Sequence, residues 1–583
     1  MKGFYNKLLR IDLTSRIISN EEISDDILKT NLGGKGLAGY FLLKEIPLNI
    51  KPLSPENKLI FVIGPATGTK LWSNSRYGVF SKSPLTGIFG ESYSGGKVAP
   101  QIKATGYDVI IFEGESQSPV YLEISDQKVK FHDADHLWGK ETYATEDQIL
   151  KEINVPDAQA IVIGPAGENM VNFALIENNY WRSAGRTGMG ALMGSKKVKG
   201  IVFHGKSKCE INNPDLLLEV NKKVSGHIKI SSGTVNAYRT EGTPMQVKVT
   251  NASGCFPTRY WTSGTFEKWQ NLSSGYMKEH FDVKAKACPN CFLSCGKLST
   301  AKGGAYKGLT IEGPEYETIY AVGGLNCLGS LEEVSYINDL CDRLGMDTMT
   351  AGNVTAFAIE AYKMGKTDFA IDYGQIDKIT ELLNLIAYQK GVGQIFSKGV
   401  RGAAKELGLE DIAVHVKGLE PAGFDPRVLK GMGLAYAVSS RGACHLRGTF
   451  YKAELSGQIA ADTIVGKAKL FIDWEDRAAL FDSLILCRFF RDFIMWDELG
   501  MIIEATTGLK FSKEELAEKA NYITTQARLF NIREGITYKD DNLPKRFYEP
   551  LTDSGKVIKE EELNIMVQDY YKLRGWNEKG IPL

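Results

Sequence analysis

Cys288, Cys291 and Cys295 fall within eight residues, in 287-ACPNCFLSCGK-297, of a chain that has only nine cysteines. Three thiols so close are suited to metal or redox chemistry. Their C-x2-C-x3-C spacing lacks the second short pair of a zinc knuckle. It also differs from the bacterial ferredoxin run C-x2-C-x2-C-x3-C, and the arrangement of radical enzymes has the two spacings reversed. Three thiolates from one tight loop can each reach a different iron of a cubane, leaving one corner for a distant residue. The candidate for that corner is Cys487, in FDSLILCRFF. The competing reading makes Cys291 and Cys295 small buried apolar residues. Cys209, Cys255, Cys327 and Cys341 read as isolated core cysteines.

Composition narrows the setting. With 583 residues the chain divides into several domains, and 70 basic against 70 acidic residues give no electrostatic case for nucleic acid or an anionic membrane as partner. The N-terminal MKGFYNKLLRIDLTSR has no apolar h-region, and no apolar run approaches the roughly 18 residues of a membrane helix. A cytoplasmic protein is expected, where an odd, thinly spread set of thiols does not form a disulfide framework.

The elements that must hold these thiols differ along the chain. LLRIDLT, KLIFVIGPATG, YDVIIFEGE, VYLEISD, AIVIGPAG and VKGIVFHG are short β-branched or alternating runs closed by turn residues, which predicts strands. From about residue 207, PDLLLEVNKKVSG, LEEVSYINDLCDRLG, TAFAIEAYKMG and KITELLNLIAYQKG space apolar residues three and four apart and often close on Gly, which predicts helices. Ser512 and Glu515 fit a capping box, with Leu516, Ala520, Ile523 and Ala527 on one face behind them. The expected fold class is α+β. A β-rich N-terminal domain (1–206) precedes two mainly α-helical domains (207–415 and 416–583). No internal repeat or low-complexity segment stands out.

Two further segments, CDRLGMD at 341–347 and FDSLILC at 481–487, each place an Asp about one helical turn before an apolar residue. Alone, each Asp reads as a cap or a solvated charge. Combined with C-x2-C-x3-C they form a pattern that resembles the tungsten-containing aldehyde ferredoxin oxidoreductase family. The resemblance runs almost end to end through IGPATGT, SRYGVFSKSPLTG, YSGGKVAPQIKATGYD, RSAGRTGMGALMGSKKVK, IEGPEYET, FDPR, SRGACHLRG, LPKRF and YYKLRGW. It implies tungsten (or molybdenum) held by the dithiolenes of two pterins, a [4Fe-4S] cluster nearby, Mg2+ bridging the pterin phosphates, and cofactors buried between the domains. No side chain need bind the tungsten, which suits a chain with only seven histidines.

By that resemblance Cys288, Cys291, Cys295 and Cys487 bind the cluster. The first pterin motif, D-x-x-G-L-D, becomes Asp342, Gly345, Met346 and Asp347, with Met for Leu. The second, D-x-x-G-L-C, becomes Asp482, Ile485, Leu486 and Cys487. An ionised carboxylate can accept two N–H donors of a pterin edge at once. Ile485 stands where the family has Gly; a β-branched residue does not readily take φ > 0, so an altered path at the second pterin is expected. Arg76 matches the arginine between cluster and pterin, and Arg447, in GACHLRG, joins the cofactor set. Gly95 and Gly96 in YSGGK, and Ser183, Ala184, Gly185 and Arg186 in RSAGR, match the stretches around the pterin phosphates, where the carbonyls of Tyr93 and Ser183 would serve Mg2+.

For catalysis the resemblance points to Glu317, in GPEYET, as a base and His445 as a donor to the carbonyl oxygen, with Glu315 the rival of Glu317. Without the family, neither would be singled out. Tyr336 and Asp339 occupy the positions where some members carry an E-x-x-H pair that bridges a homodimer through a metal, so that homodimer is not expected. The implied activity is oxidation of an aldehyde to a carboxylic acid, with electrons passing to ferredoxin or a polyferredoxin-like iron–sulfur subunit. The alternatives are a subunit of a reductive acyl-CoA-type complex, an iron–sulfur relay protein without pterin, and a structural zinc module.

Overall fold

The computed structural model describes residues 1–126 and 128–583. Its N-terminal part is built on two six-stranded sheets. The first contains β1 (Lys7–Asp12), β2 (Ile18–Glu22), β3 (Leu59–Val62), β4 (Tyr77–Lys82), β5 (Phe89–Ser94) and β6 (Val109–Glu113), in the order β2-β1-β6-β3-β4-β5. The second contains β7 (Val120–Ser125), β8 (Lys128–Asp133), β9 (Gln159–Val162), β10 (Ile176–Asn178), β11 (Arg182–Ala184) and β12 (Val198–His204). Its order, β8-β7-β12-β9-β10-β11, is that of the first sheet repeated. In each sheet the opening strand runs parallel to the last, which pairs antiparallel with the third. The strand order of the N-terminal part is thus repeated, a relation that the sequence reading did not show. The copies share only the short V-I-G-P-A at 62–66 and 162–166, too little text to show a repeat.

The inner faces of the sheets form one apolar core, with Leu9, Phe61 and Ile110 meeting Leu122, Ile161 and Phe203. The rings of Phe61 and Phe203 lie 6.4 Å apart. The outer face of the first sheet is covered by the helices Gly34–Glu45 and Lys513–Arg533. Glu515 and Ser512 exchange the two bonds of a capping box at the start of the latter, at 3.2 and 2.7 Å, and Leu516, Ala520, Ile523 and Ala527 are buried. Beyond residue 205 the chain is helical, apart from a three-stranded antiparallel sheet of β13 (Phe281–Lys286), β14 (Gly296–Ala301) and β15 (Thr310–Glu312). Of the four cysteines expected in the core, Cys255 and Cys341 are buried, whereas Cys209 and Cys327 are half-buried.

Both Asp motifs close helices that dock on the duplicated V-I-G-P-A turns. Leu331–Leu344 starts at Ser330, whose side chain accepts from Glu333 N, and ends at left-handed Gly345. Gly164 packs so tightly on its last turn that a Cβ there would lie 2.5 Å from the Leu344 carbonyl oxygen. Lys467–Ser483 ends the same way against the equivalent Gly64, where a Cβ would lie 2.0 Å from the Leu484 carbonyl oxygen. Only glycine permits such approaches. Each Asp motif is therefore fixed by its own sheet.

Candidate active site

The β13–β14 hairpin, paired from Phe281↔Ala301 to Lys286↔Gly296, carries Cys288, Cys291 and Cys295 in its connection. Asn290 and Ser294 take positive φ there and let the loop curl back on itself. Cys487 arrives from the turn after Lys467–Ser483, fixed by its N–H donating to the Ser73 carbonyl at 2.8 Å. All four thiols, none in a disulfide, line one cavity of about 330 Å3. Among the described residues no three His, Cys, Asp or Glu side chains converge on a point where one ion could sit. Among the described residues the four thiols thus line a shared space without three of them closing on one point.

Arg76 lies at this end, hydrogen-bonded to Cys487 and electrostatically engaged with Cys288. The Gly96 N–H points at Cys288 Sγ at 3.4 Å, and a Cβ on Gly95 would sit 3.3 Å from the same sulfur. Burial, with Cys487 and Cys288 nearby, pushes the Cys291 thiol up to about 11; burial and Glu315 raise Cys295 as well. Near neutral pH these thiols are therefore held protonated, and a bound cation would favour their thiolates.

Glu317 and His445 line the same cavity, with Oε1 and Nε2 3.5 Å apart. Glu317 is in a short helical turn, Tyr316–Thr318, and its other oxygen accepts the Gly423 N–H at 3.0 Å. Burial pushes Glu317 up to about 8. Burial and the charges of Arg441, Arg186, Arg447 and Arg491 hold His445 well below its usual range, so its imidazole is neutral. Glu315 also lines the cavity, but it faces the cluster side: Thr243 donates to it, and its charge bears on Cys295. Phe424 and Tyr451 stack at 3.9 Å beside His445, their centroids 6.0 and 6.2 Å from its ring.

The two Asp motifs sit in unlike electrostatic surroundings. Asp342 accepts from Asn338 at 2.7 Å; its neighbourhood is acidic, and burial with Asp339 raises it well above the carboxylate range. Close by, Glu177 on β10 is fully buried, and neither of its oxygens has a hydrogen-bond partner. Burial and Asp342 raise it too. Met346 bridges to Ala174, and Asp347 caps the helix Thr348–Lys363 while pairing with Arg186 Nε at 3.0 Å. At the second motif Asp482 is held by Arg447 and by Arg488, the latter at 2.6 Å, with Leu486 buried behind it. Arg447 also pairs with Glu91 at 2.8 Å, and Glu91 with Lys35 at 3.1 Å. Arg447 Nε and Nη2 remain buried without partners.

Ile485 corrects one expectation. It takes φ +54° and so keeps the left-handed corner that its β-branch was expected to forbid. Burial on Gly64 and Gly78, whose added Cβ atoms would each lie 3.3 Å from the Ile485 side chain, holds it there. Ser183 lies in register with Glu177 and lines the cavity, as does Tyr93; Ala184 is buried, and a Cβ on Gly185 would be 3.7 Å from Asp347 Oδ1. Unmatched acceptors on Glu177, unmatched donors on Arg447 and the close approach at Gly95 fit a polar organic cofactor such as a pterin beside the cluster. Sequence reading missed Glu177, Glu91, Arg441 and Arg488, which carry no local motif. It also missed Cys444, whose sulfur accepts from Arg441 at 2.9 Å and is drawn down to about 7 against the effect of burial.

Family models match nearly the whole chain: aldehyde ferredoxin oxidoreductase, N-terminal domain, over 8–205, and aldehyde ferredoxin oxidoreductase, domains 2 & 3, over 219–583. The chain is 36% identical to the tungsten-containing aldehyde ferredoxin oxidoreductase of Thermococcus kodakarensis, covering 100% of this chain and 97% of that one. It is 30% identical to the aliphatic sulfonate oxidoreductase, WOR-like subunit, of Pyrococcus furiosus, covering 100% and 96%. Among solved structures, it is similar to a chain of the active site complex BamBC of benzoyl coenzyme A reductase with 1,5 dienoyl-CoA. That match has a TM-score of 0.86 and 25% identity, covering 100% of this chain and 96% of that one.

Proposed function

Because the chain belongs to the aldehyde ferredoxin oxidoreductase family, we propose that it oxidises an aldehyde and water to a carboxylic acid, two protons and two electrons. The observation that carries the proposal is the Glu317–His445 pair, 3.5 Å apart, lining one cavity with the four thiols. When bound, a tungsten or molybdenum bis-pterin supplies the two-electron acceptor and a [4Fe-4S] cluster the one-electron outlet. The family is tungsten-containing; the cluster type and a Mg2+ on the phosphates are part of the proposal.

Cys288, Cys291, Cys295 and Cys487 would hold the cluster, with Arg76 beside it. Asp342 and Glu177 would offer oxygens to one pterin edge, with Met346 packing there. Asp482 would do so for the other, with Leu486 packing and Arg447 donating. Gly95, Gly96 and 183–186 would let phosphates approach the main chain, and the Tyr93 and Ser183 carbonyls would be available to Mg2+. Neutral His445 donates its N–H to the aldehyde oxygen, stabilising negative charge as the carbon becomes tetrahedral. Glu317, once ionised, takes the proton from the attacking water. A cluster held by the four thiols would supply the route for electrons to ferredoxin or an iron–sulfur subunit.

A reductive reaction on an aromatic acyl thioester is the second reading, favoured by the full-length likeness to the BamBC chain. Assays with aldehydes and a viologen dye, set against an aromatic acyl-CoA with reduced dye, separate the two. Turnover with the thioester alone would refute aldehyde oxidation.

A further inference from the structure

Four arginines line the cavity: Arg76, Arg182, Arg488 and Arg491. Three are matched. Arg76 faces the thiols, Arg182 pairs with Glu312, and Arg488 with Asp482. Arg491 makes no direct ion pair among the described residues, although the Tyr238 hydroxyl and the charge of Asp492 bear on it. It is 5% exposed, its Nη1 donates to the Arg488 carbonyl at 2.8 Å, its Nη2 to the Tyr451 hydroxyl at 3.3 Å, and its Nε has no partner. The adjacent carboxylate, Asp492, is taken by Lys452. A desolvated guanidinium with an unpartnered Nε donor and no direct ion pair has room for an anionic partner.

Its position says which end of a ligand it would meet. The Tyr451 ring stacks on Phe424 and lies 6.2 Å from the His445 ring, while the Tyr451 hydroxyl touches Arg491. His445 and Arg491 thus stand at opposite ends of one aromatic wall, which Tyr238 and Phe489 extend around the cavity. We propose that the substrate is an aldehyde with an apolar body and an oxyanion headgroup, carboxylate or sulfonate, which Arg491 holds while the aldehyde carbon reaches Glu317 and His445. This rests on the preceding reading for what that pair does. Arg491 is the residue that sets specificity.

The test compares kcat/KM for 4-carboxybenzaldehyde, 4-formylbenzenesulfonate and neutral benzaldehyde in the wild-type holoenzyme, Arg491→Gln and Arg491→Lys. Calorimetric binding of 4-(hydroxymethyl)benzoate against benzyl alcohol adds a readout without turnover. The charged aldehydes should be preferred by about tenfold or more, mainly through KM. Arg491→Gln should bring the ratio to about one and Arg491→Lys keep part of it. Preference between carboxylate and sulfonate, in either direction, supports the site and names its headgroup. Equal use of charged and neutral aldehydes by the wild type, or loss of pterin metal from Arg491→Gln, would overturn it. Arg491-dependent binding of the benzoate by a protein inactive on every aldehyde would sink the oxidase reading and leave the anion site standing.

Discussion

Ile485 turns the same left-handed corner after Asp482 that Gly345 turns after Asp342, at φ +54° and +79°. In both, the next N–H closes on the carbonyl just before the Asp: Leu486 on Phe481 and Met346 on Cys341, each at 2.8 Å. That corner costs an L-residue about 1–2 kcal/mol, and burial of an isoleucine side chain returns about 1.5–3 kcal/mol. Ile485→Gly relieves the first and loses the second, whereas Ile485→Ala keeps the strain and loses the packing. The glycine variant should therefore melt above the alanine variant, both below wild type, in denaturant titrations. An alanine variant more stable than the glycine one would remove the argument.

Glu317→Gln should cut turnover by about 10²–10⁴-fold with tungsten and iron content intact. Surviving activity would pass the role to Glu315. In the wild type Glu317 is protonated below its raised value of about 8, so kcat/KM should climb with pH up to that point and level off above it. A rate that falls across the same range would contradict a base at this position.

Cys291→Ser removes one of the four proposed cluster ligands. Iron per chain should drop and reduction of ferredoxin stop, with the circular-dichroism spectrum unchanged. Full iron with the serine in place would mean that this thiol is not a ligand.

Glu177 and Asp342 share a buried site in which desolvation and neighbouring carboxylates outweigh the charges of Arg182 on Glu177 and of Arg343 on Asp342. Their folded pKa values are raised, so the folded protein holds more protons than the unfolded chain. Their stabilising contribution is complete below the ordinary carboxylate pKa and is lost as pH rises through the folded values. Protein made without tungsten or molybdenum should accordingly have a lower Tm at pH 8 than at pH 5, and Glu177→Gln should flatten that slope. The same variant should load less pterin. An unchanged slope and unchanged loading would separate Glu177 from the cofactor.

The legible part of this chain was local. C-x2-C-x3-C lies in one loop, the strands are contiguous β-branched runs, and Ser512–Glu515 is a cap read three residues apart. What escaped depends on contacts between distant segments. Glu177 sits on a three-residue strand and becomes notable only when Asp342 is brought beside it. The duplication lives in strand order, not in shared text, and Ile485 keeps a glycine's conformation because Gly64 and Gly78 leave room for its side chain.

The central claim is that four thiols hold one iron–sulfur cube beside a metal gripped through its organic ligands. Elemental analysis of the purified protein tests it most directly. About four irons and about one tungsten or molybdenum per chain are expected, with zinc absent. One zinc per chain without iron, or about four irons with neither tungsten nor molybdenum in protein grown with both metals, would contradict the account.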